Sequence, residues 1–255
     1  MSILAKIGRL LAGYLEKPSA AYAQIATCKP ELLAATIQAG DVLLVDGSSR
    51  VSTAIKYLTQ STWSHAAMCV VDDKNNAQPD CNNVMLIEAD VLEGVRTIPL
   101  ANYAHLHTRI CRPVGLDKKE ITQAIEFIRA RLGHQYDTKN VFDLLRYFFQ
   151  TPPVPTRWRR KMIGLGSGDP TRAICSSLVA QTFQSIRYPI LPDVSLEKGQ
   201  QANCNYCYDE VLHIRHHTLY VPRDFDISPY FEIIKPTLNE LFDPHELAWG
   251  EHQQN

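Results

Sequence analysis

DPTRAICSSLVAQTF, residues 169–183, decides how the rest of the chain is read. Small and charged residues, Asp169, Pro170, Thr171 and Arg172, run into Cys175, and an amphipathic stretch with Leu178, Val179 and Phe183 follows. The pattern predicts a loop feeding a helix whose first turn carries a thiol. A helix N-terminus favours negative charge, so a thiolate placed there is stabilised. Cys175 is thus a candidate nucleophile, against the alternative of a small buried hydrophobe. Cys69 and Cys111 sit inside apolar strand patterns and read as core.

Working outward, a cysteine nucleophile needs a base within hydrogen-bond reach and a group that orients that base. Among nine histidines, His65 is singled out because it opens the strand pattern HAAMCVV directly after Gln60-Ser61-Thr62-Trp63-Ser64; His105, His107, His134, His213, His216 and His217 fit solvent-facing positions as well. The stretches 65–71 and 84–90 flank a polar loop, and antiparallel pairing about its centre sets Glu88 opposite His65. A carboxylate inside the apolar run MLIEAD calls for a partner, although an outward-facing glutamate on a half-exposed strand is the competing reading.

The remaining chain reads as helices over 1–38, a short buried strand VLLV at 42–45, a helix over 50–60, strands GVRTIPL and LHTRICRPV, and a helix over 118–132 capped by Asp117 with Ile121, Ile125, Ile128 and Leu132 on one face. A further helix covers about 138–149, and 150–172 is a proline- and glycine-rich loop. VLHIRHH and TLYVPRDF look like short strands. Helices, a strand meander and helices again predict an α+β domain.

Composition narrows the class. Over 255 residues, 45% are apolar and 21% charged, which is globular, and a formal net charge of −1 gives no field favouring nucleic acid. No run of 18 apolar residues spans a bilayer. Ile3, Leu4, Ile7, Leu10, Leu11, Tyr14 and Leu15 fall on one helical face, while Lys6 and Arg9 interrupt any signal-like stretch. The expectation is a packed N-terminal helix in a cytoplasmic protein, with peripheral membrane contact and delivery as an effector left open. Seven cysteines at scattered spacings point to reduced thiols.

GDVLLV, then SHAAMCV followed by IEAD and GV, then AICSSLVAQTF together resemble the circularly permuted branch of the NlpC-type papain-like cysteine hydrolases, most closely the YiiX/YebB group and more distantly the lecithin:retinol acyltransferase group. The resemblance covers residues 40–236, and its histidine strand precedes its cysteine helix, as His65 precedes Cys175. It implies a permuted papain-like α+β domain over 39–236, an antiparallel sheet or small barrel packed on helices, with a helical extension at 1–38 and a tail at 237–255. It implies Cys175 as nucleophile, His65 as base and Glu88 as the third polar residue, no cofactor, and an amide, peptide or lipid substrate. Ser64, beside His65, is grouped with the supporting residues. Tyr136, in the Tyr136-Asp137 pair, matches a helix-entry Tyr-Asp of such proteins. Arg159, within Arg157-Trp158-Arg159-Arg160-Lys161, would sit at the site mouth and could bind an anionic substrate end. Three alternatives stay open: a thiol acyltransferase or esterase acting on lipids, a binding protein on the same scaffold, and a structural zinc site from Cys204, Cys207, His213, His216 and His217.

Overall fold

The computed structural model describes residues 26, 28–72, 78–90, 93–135, 174–198 and 208–238. The N-terminal helix face at residues 3–15, the 138–149 helix, the basic loop, Cys204 and Cys207 lie outside the described residues. In chain order the elements are α1 (Pro30–Thr36), β1 (Val42–Asp46), α2 (Arg50–Thr59), β2 (His65–Val71), β3 (Met85–Asp90), β4 (Gly94–Pro99), β5 (His107–Pro113), α3 (Lys118–Arg129), α4 (Ile174–Ser185), β6 (Asp193–Lys198), β7 (Tyr208–His213), α5 (Pro222–Asp226) and β8 (Phe231–Ile234). Short 3₁₀ turns intervene at Leu100–Asn102, His217–Leu219 and Pro236–Leu238.

Six strands form one antiparallel sheet in the order β4-β3-β2-β1-β5-β8, and β6 and β7 form a separate two-stranded ribbon. Among the described residues no pairing closes β4 on β8, so this is an open sheet and not the small barrel. The sheet is covered on both faces. On one face Val42, Leu44, Met68, Ile87, Val95 and Cys111 pack against Ala124, Ile125 and Ile128 of α3, Leu178, Val179 and Phe183 of α4, and Phe225 and Phe231. On the other, Leu43, Val45, Ala67, Cys69, Leu86 and Ile110 pack against Leu33, Ala34 and Ile37 of α1 and against Leu100 and Ala104. Two covered faces explain why β1 and β2 read as continuous apolar runs rather than alternating ones. Each fully buried large side chain in such a core contributes about 1.5–3 kcal/mol.

Local signals account for the element ends. Asp117 caps α3 in a capping box: its carboxylate accepts from Glu120 N at 2.8 Å and Glu120 Oε2 accepts from Asp117 N at 2.9 Å. The helix ends at Arg129 instead of 132, and Leu132 is exposed. Its C-terminal turn instead docks on β4, where Val95 N donates to His134 O at 2.9 Å and Gly133 N donates to Val95 O at 2.9 Å. Gly94 makes that approach possible: it sits at φ +76°, and a side chain there would collide with the carbonyl of His134.

Three sequence expectations are corrected. VLHIRHH is strand only to His213, and TLYVPRDF is not a strand: His217–Leu219 is a 3₁₀ turn and Pro222 opens α5, its fixed φ suited to the first helical position while Asp224 Oδ2 accepts from Val221 N at 3.0 Å. The β3 partner of β2 is shifted: Met68 pairs with Ile87 and Cys69 with Leu86, so continuing that register sets Asp90, not Glu88, opposite His65. Strands β6 and β8 are additional elements.

Candidate functional site

The ends of β1 and β2 are tied so that His65 has a fixed starting point. Ser64 N donates to Val45 O at 3.0 Å, and Ser64 Oγ accepts from Gly47 N at 2.9 Å and also lies 3.3 Å from Val45 O as a donor. A β-carbon at Gly47 would run into Ser52 Oγ and lie 3.0 Å from Ser64 Oγ, so a larger residue there would displace these hydroxyls. Ser64 is therefore the buried brace beneath His65, with its own hydrogen-bonding capacity used within the β1–β2 junction.

The register shift leaves His65 and Glu88 together. An error of two residues preserves the side of the sheet, since side chains alternate with period two. Glu88 becomes the diagonal neighbour of His65 on the same face, within reach of long side chains. His65 Nε2 donates to Glu88 Oε2 at 2.7 Å. The glutamate side chain is 1% exposed and that of His65 22%.

A buried carboxylate needs further partners, and Glu88 has two that sequence reading missed. Tyr103 O–H donates to Oε2, the oxygen that also takes His65. Arg96 donates to Oε1 through Nε at 2.9 Å and lies on it through Nη2 at 2.8 Å. Arg96 could have been found from the hairpin between β3 and β4, where it pairs directly with Glu88. Tyr103 follows a 3₁₀ turn distant from Glu88 in local pattern and left no such signal. Burial alone would raise the Glu88 pKa, but the His65 charge and the hydrogen bonds from His65, Tyr103 and Arg96 outweigh it and hold the carboxyl at about 2.

Cys175 is the second residue of α4 as described, 5% exposed, on a helix that packs over β2 and β3. The β2–β3 ladder stops at Met68. Beyond it the Ala66 N–H hydrogen-bonds the Cys175 sulfur, as does Ser176 N–H, and the thiol and the His65 imidazole are hydrogen-bonded. Since Nε2 is engaged by Glu88, Nδ1 is the ring nitrogen left for sulfur. Burial opposes the Cys175 thiolate, yet the His65 charge, its hydrogen bond and the two backbone donors prevail and bring the pKa below the ordinary thiol value. Burial likewise opposes charge on His65, but the Cys175 and Glu88 charges raise its pKa well above the usual imidazole range. Cys28, Cys81 and Cys111 go the other way: burial pushes Cys81 up to about 11 and raises the other two.

Cys175, His65 and Glu88 thus form one hydrogen-bonded chain. Tyr136 and Arg159 lie outside the described residues. Among the described residues no three His, Cys, Asp or Glu side chains gather as a metal site, and no helix is long and apolar enough to cross a membrane.

With this geometry in hand, comparison with known proteins adds three findings. Residues 36–150 match the family model of the permuted papain-like amidase enzyme, YaeF/YiiX, C92 family; the matched segment contains His65 and Glu88 and ends before Cys175. Among solved structures, the chain is similar to the metalloprotein YiiX from Escherichia coli O157:H7, at 18% identity and a TM-score of 0.46 over 78% of this chain and 96% of that one. The curated proteins contain no significant match.

Proposed function

We propose that this chain, whose residues 36–150 match the family model of the YaeF/YiiX permuted papain-like amidases, cleaves an amide bond with Cys175 as nucleophile, His65 as acid and base, and Glu88 as the group that orients the imidazole. The observation that carries the reading is the thiol–imidazole–carboxylate chain, in which the thiol is brought below and the imidazole raised above its ordinary pKa. Such opposed shifts populate a thiolate–imidazolium pair near neutral pH.

The Cys175 sulfur attacks the carbonyl carbon, and the carbonyl oxygen takes up negative charge. His65 passes its Nδ1 proton to the leaving nitrogen, the C–N bond breaks, and an acyl thioester and a free amine result. Water then attacks the thioester with neutral His65 taking its proton, and the thiol is restored as the carboxylic acid leaves. A lipid or amine in place of water would make the same site an acyltransferase.

Two assays divide the outcomes: hydrolysis of short cell-wall-type peptides and release of fatty acid from acyl lipids, each with wild type, Cys175→Ala and His65→Ala. Peptide cleavage lost by about 10³-fold or more in both variants is expected. Lipid cleavage with untouched peptides would move the reading to the acyl-lipid alternative, and activity retained by Cys175→Ala would remove it.

A further inference from the structure

Glu88 Oε2 is shared by two donors, and this arrangement separates the site from a plain three-residue relay. Tyr103 follows the Leu100–Asn102 turn and is fixed there by backbone bonds: Tyr103 N to Leu100 O at 2.9 Å, and Leu106 N to Tyr103 O at 2.9 Å. Leu100, fully buried, anchors the turn and donates from its own N to Val84 O at 2.9 Å. The phenol ring lies 5.6 Å from the His65 ring, tilted by 49°. On the other oxygen, Arg96 is itself braced by Glu93 at 2.7 Å and Asp90 at 3.4 Å.

We propose that Tyr103, with Arg96, is a positioning residue of the site: the Tyr103 hydroxyl and the Arg96 guanidinium share the charge of Glu88 and hold it in place, so that His65 is aligned by the carboxylate without being bound too tightly to its own proton. The proposal rests on the assignment of His65 as acid and base. Its physical basis is a conflict in what a general acid must do. A bare buried carboxylate beside an imidazolium strengthens its grip on the proton, and an acid far above ambient pH donates poorly. Each further donor on Glu88 draws off part of that pull and also keeps the carboxylate ionised. The groups facing Glu88 are His65 from β2, Arg96 from β4 and Tyr103 from the turn; Cys175 from α4 acts through His65, and Asp90 and Glu93 act through Arg96. Burial, followed by the Glu88 charge, raises the Tyr103 hydroxyl pKa, which keeps Tyr103 a donor at every working pH.

The test is the titration of His65 itself, followed by NMR of imidazole-labelled full-length protein and assigned by the signal missing in His65→Asn. Tyr103→Phe keeps the ring and deletes only the hydroxyl, and Arg96→Gln serves as the second variant. Both should move the His65 pKa upward, whereas Glu88→Gln should move it downward, and Tyr103→Phe added to Glu88→Gln should produce no further movement. On any amide the wild type cleaves, Tyr103→Phe should lower kcat about tenfold at unchanged KM, in line with outer-shell groups that orient a reacting residue. A His65 titration identical in wild type and Tyr103→Phe, or an equal shift in the Glu88→Gln background, overturns the proposal; a loss of thermal stability alone marks a structural tyrosine. Amide cleavage by Cys175→Ala would instead overturn the functional reading, so the two failures are separately visible.

Discussion

At the scale of single residues, the environment of each thiol decides its chemistry more than its identity does. Cys69 and Cys111 lie in opposite faces of the sheet core, and burial raises the Cys111 pKa. Cys175 is as buried as a core residue but has a charged partner and two backbone donors. Iodoacetamide at neutral pH should therefore alkylate Cys175 ahead of Cys28, Cys69, Cys81 and Cys111, as read by peptide mass spectrometry. Its rate should stay high below the pH at which ordinary thiols lose reactivity, because the folded pKa is depressed, and should fall only as acid protonates the thiolate. In His65→Ala the stabilising partner is gone and burial remains, so the thiol pKa rises and alkylation at pH 7 should drop by roughly tenfold or more. Preferential labelling of Cys111 would contradict the assignment. Cys175 stands out in the sequence through a local pattern, small residues, then a thiol, then an apolar face, and the structure places it in α4 beside His65.

Elements carry the rest of the geometry, and here legibility depended on how local the signal is. The α3 cap, the α2 span and strands β1 to β5 followed from short patterns that the structure reproduces within a few residues. Pairing was harder. A loop-centred count misjudges the partner of His65 by two residues and does not see the one-residue register shift between Cys69 and Val71; the offset that results is even, so Glu88 stays on the same side of the sheet as His65. β8 has only four residues, one of them buried, and its pairing to β5 is long-range; nothing local announces it. The element most exposed to a single change is the β1–β2 junction. Ser64→Ala removes the acceptor for Gly47 N–H inside a buried corner, which should cost about 1–3 kcal/mol in urea unfolding. Because that corner sets where His65 begins, turnover should fall more than stability predicts; a variant with lowered stability and unaltered kcat would show that His65 does not depend on the brace. Asp117→Ala is the matched control at a remote cap, expected to lose about 1 kcal/mol with activity intact.

Over the whole molecule the formal charge is close to zero at pH 7; acid removes the carboxylate charges and builds up positive charge in wild type and variant alike, so a single carboxyl is read from the difference between the two. Glu88 is the one to watch. Its folded pKa of about 2 lies below the ordinary glutamate value of 4.5. A depressed carboxyl contributes stability that is complete above the unfolded pKa and disappears as pH falls through the folded one; for this difference the contribution is on the order of 3 kcal/mol, shared with the partners that cause it. His65 has the opposite sign. Its raised folded pKa gives stability that is complete below the unfolded imidazole value of 6.5 and is lost as pH rises through the folded value. The pair is therefore fully formed between about pH 4.5 and 6.5. Glu88→Gln abolishes the carboxylate and part of the His65 shift with it. The difference in unfolding free energy between wild type and Glu88→Gln should be greatest inside that window, shrink towards pH 2, and shrink again on the alkaline side as His65 loses its proton. Urea titrations across pH 2–9 measure this directly. A difference that stays flat from pH 6 down to pH 2 would mean that Glu88 holds its proton in the folded chain and that the buried His65–Glu88 contact is a neutral hydrogen bond, which would leave the thiol without the charged imidazole on which its own depressed pKa depends.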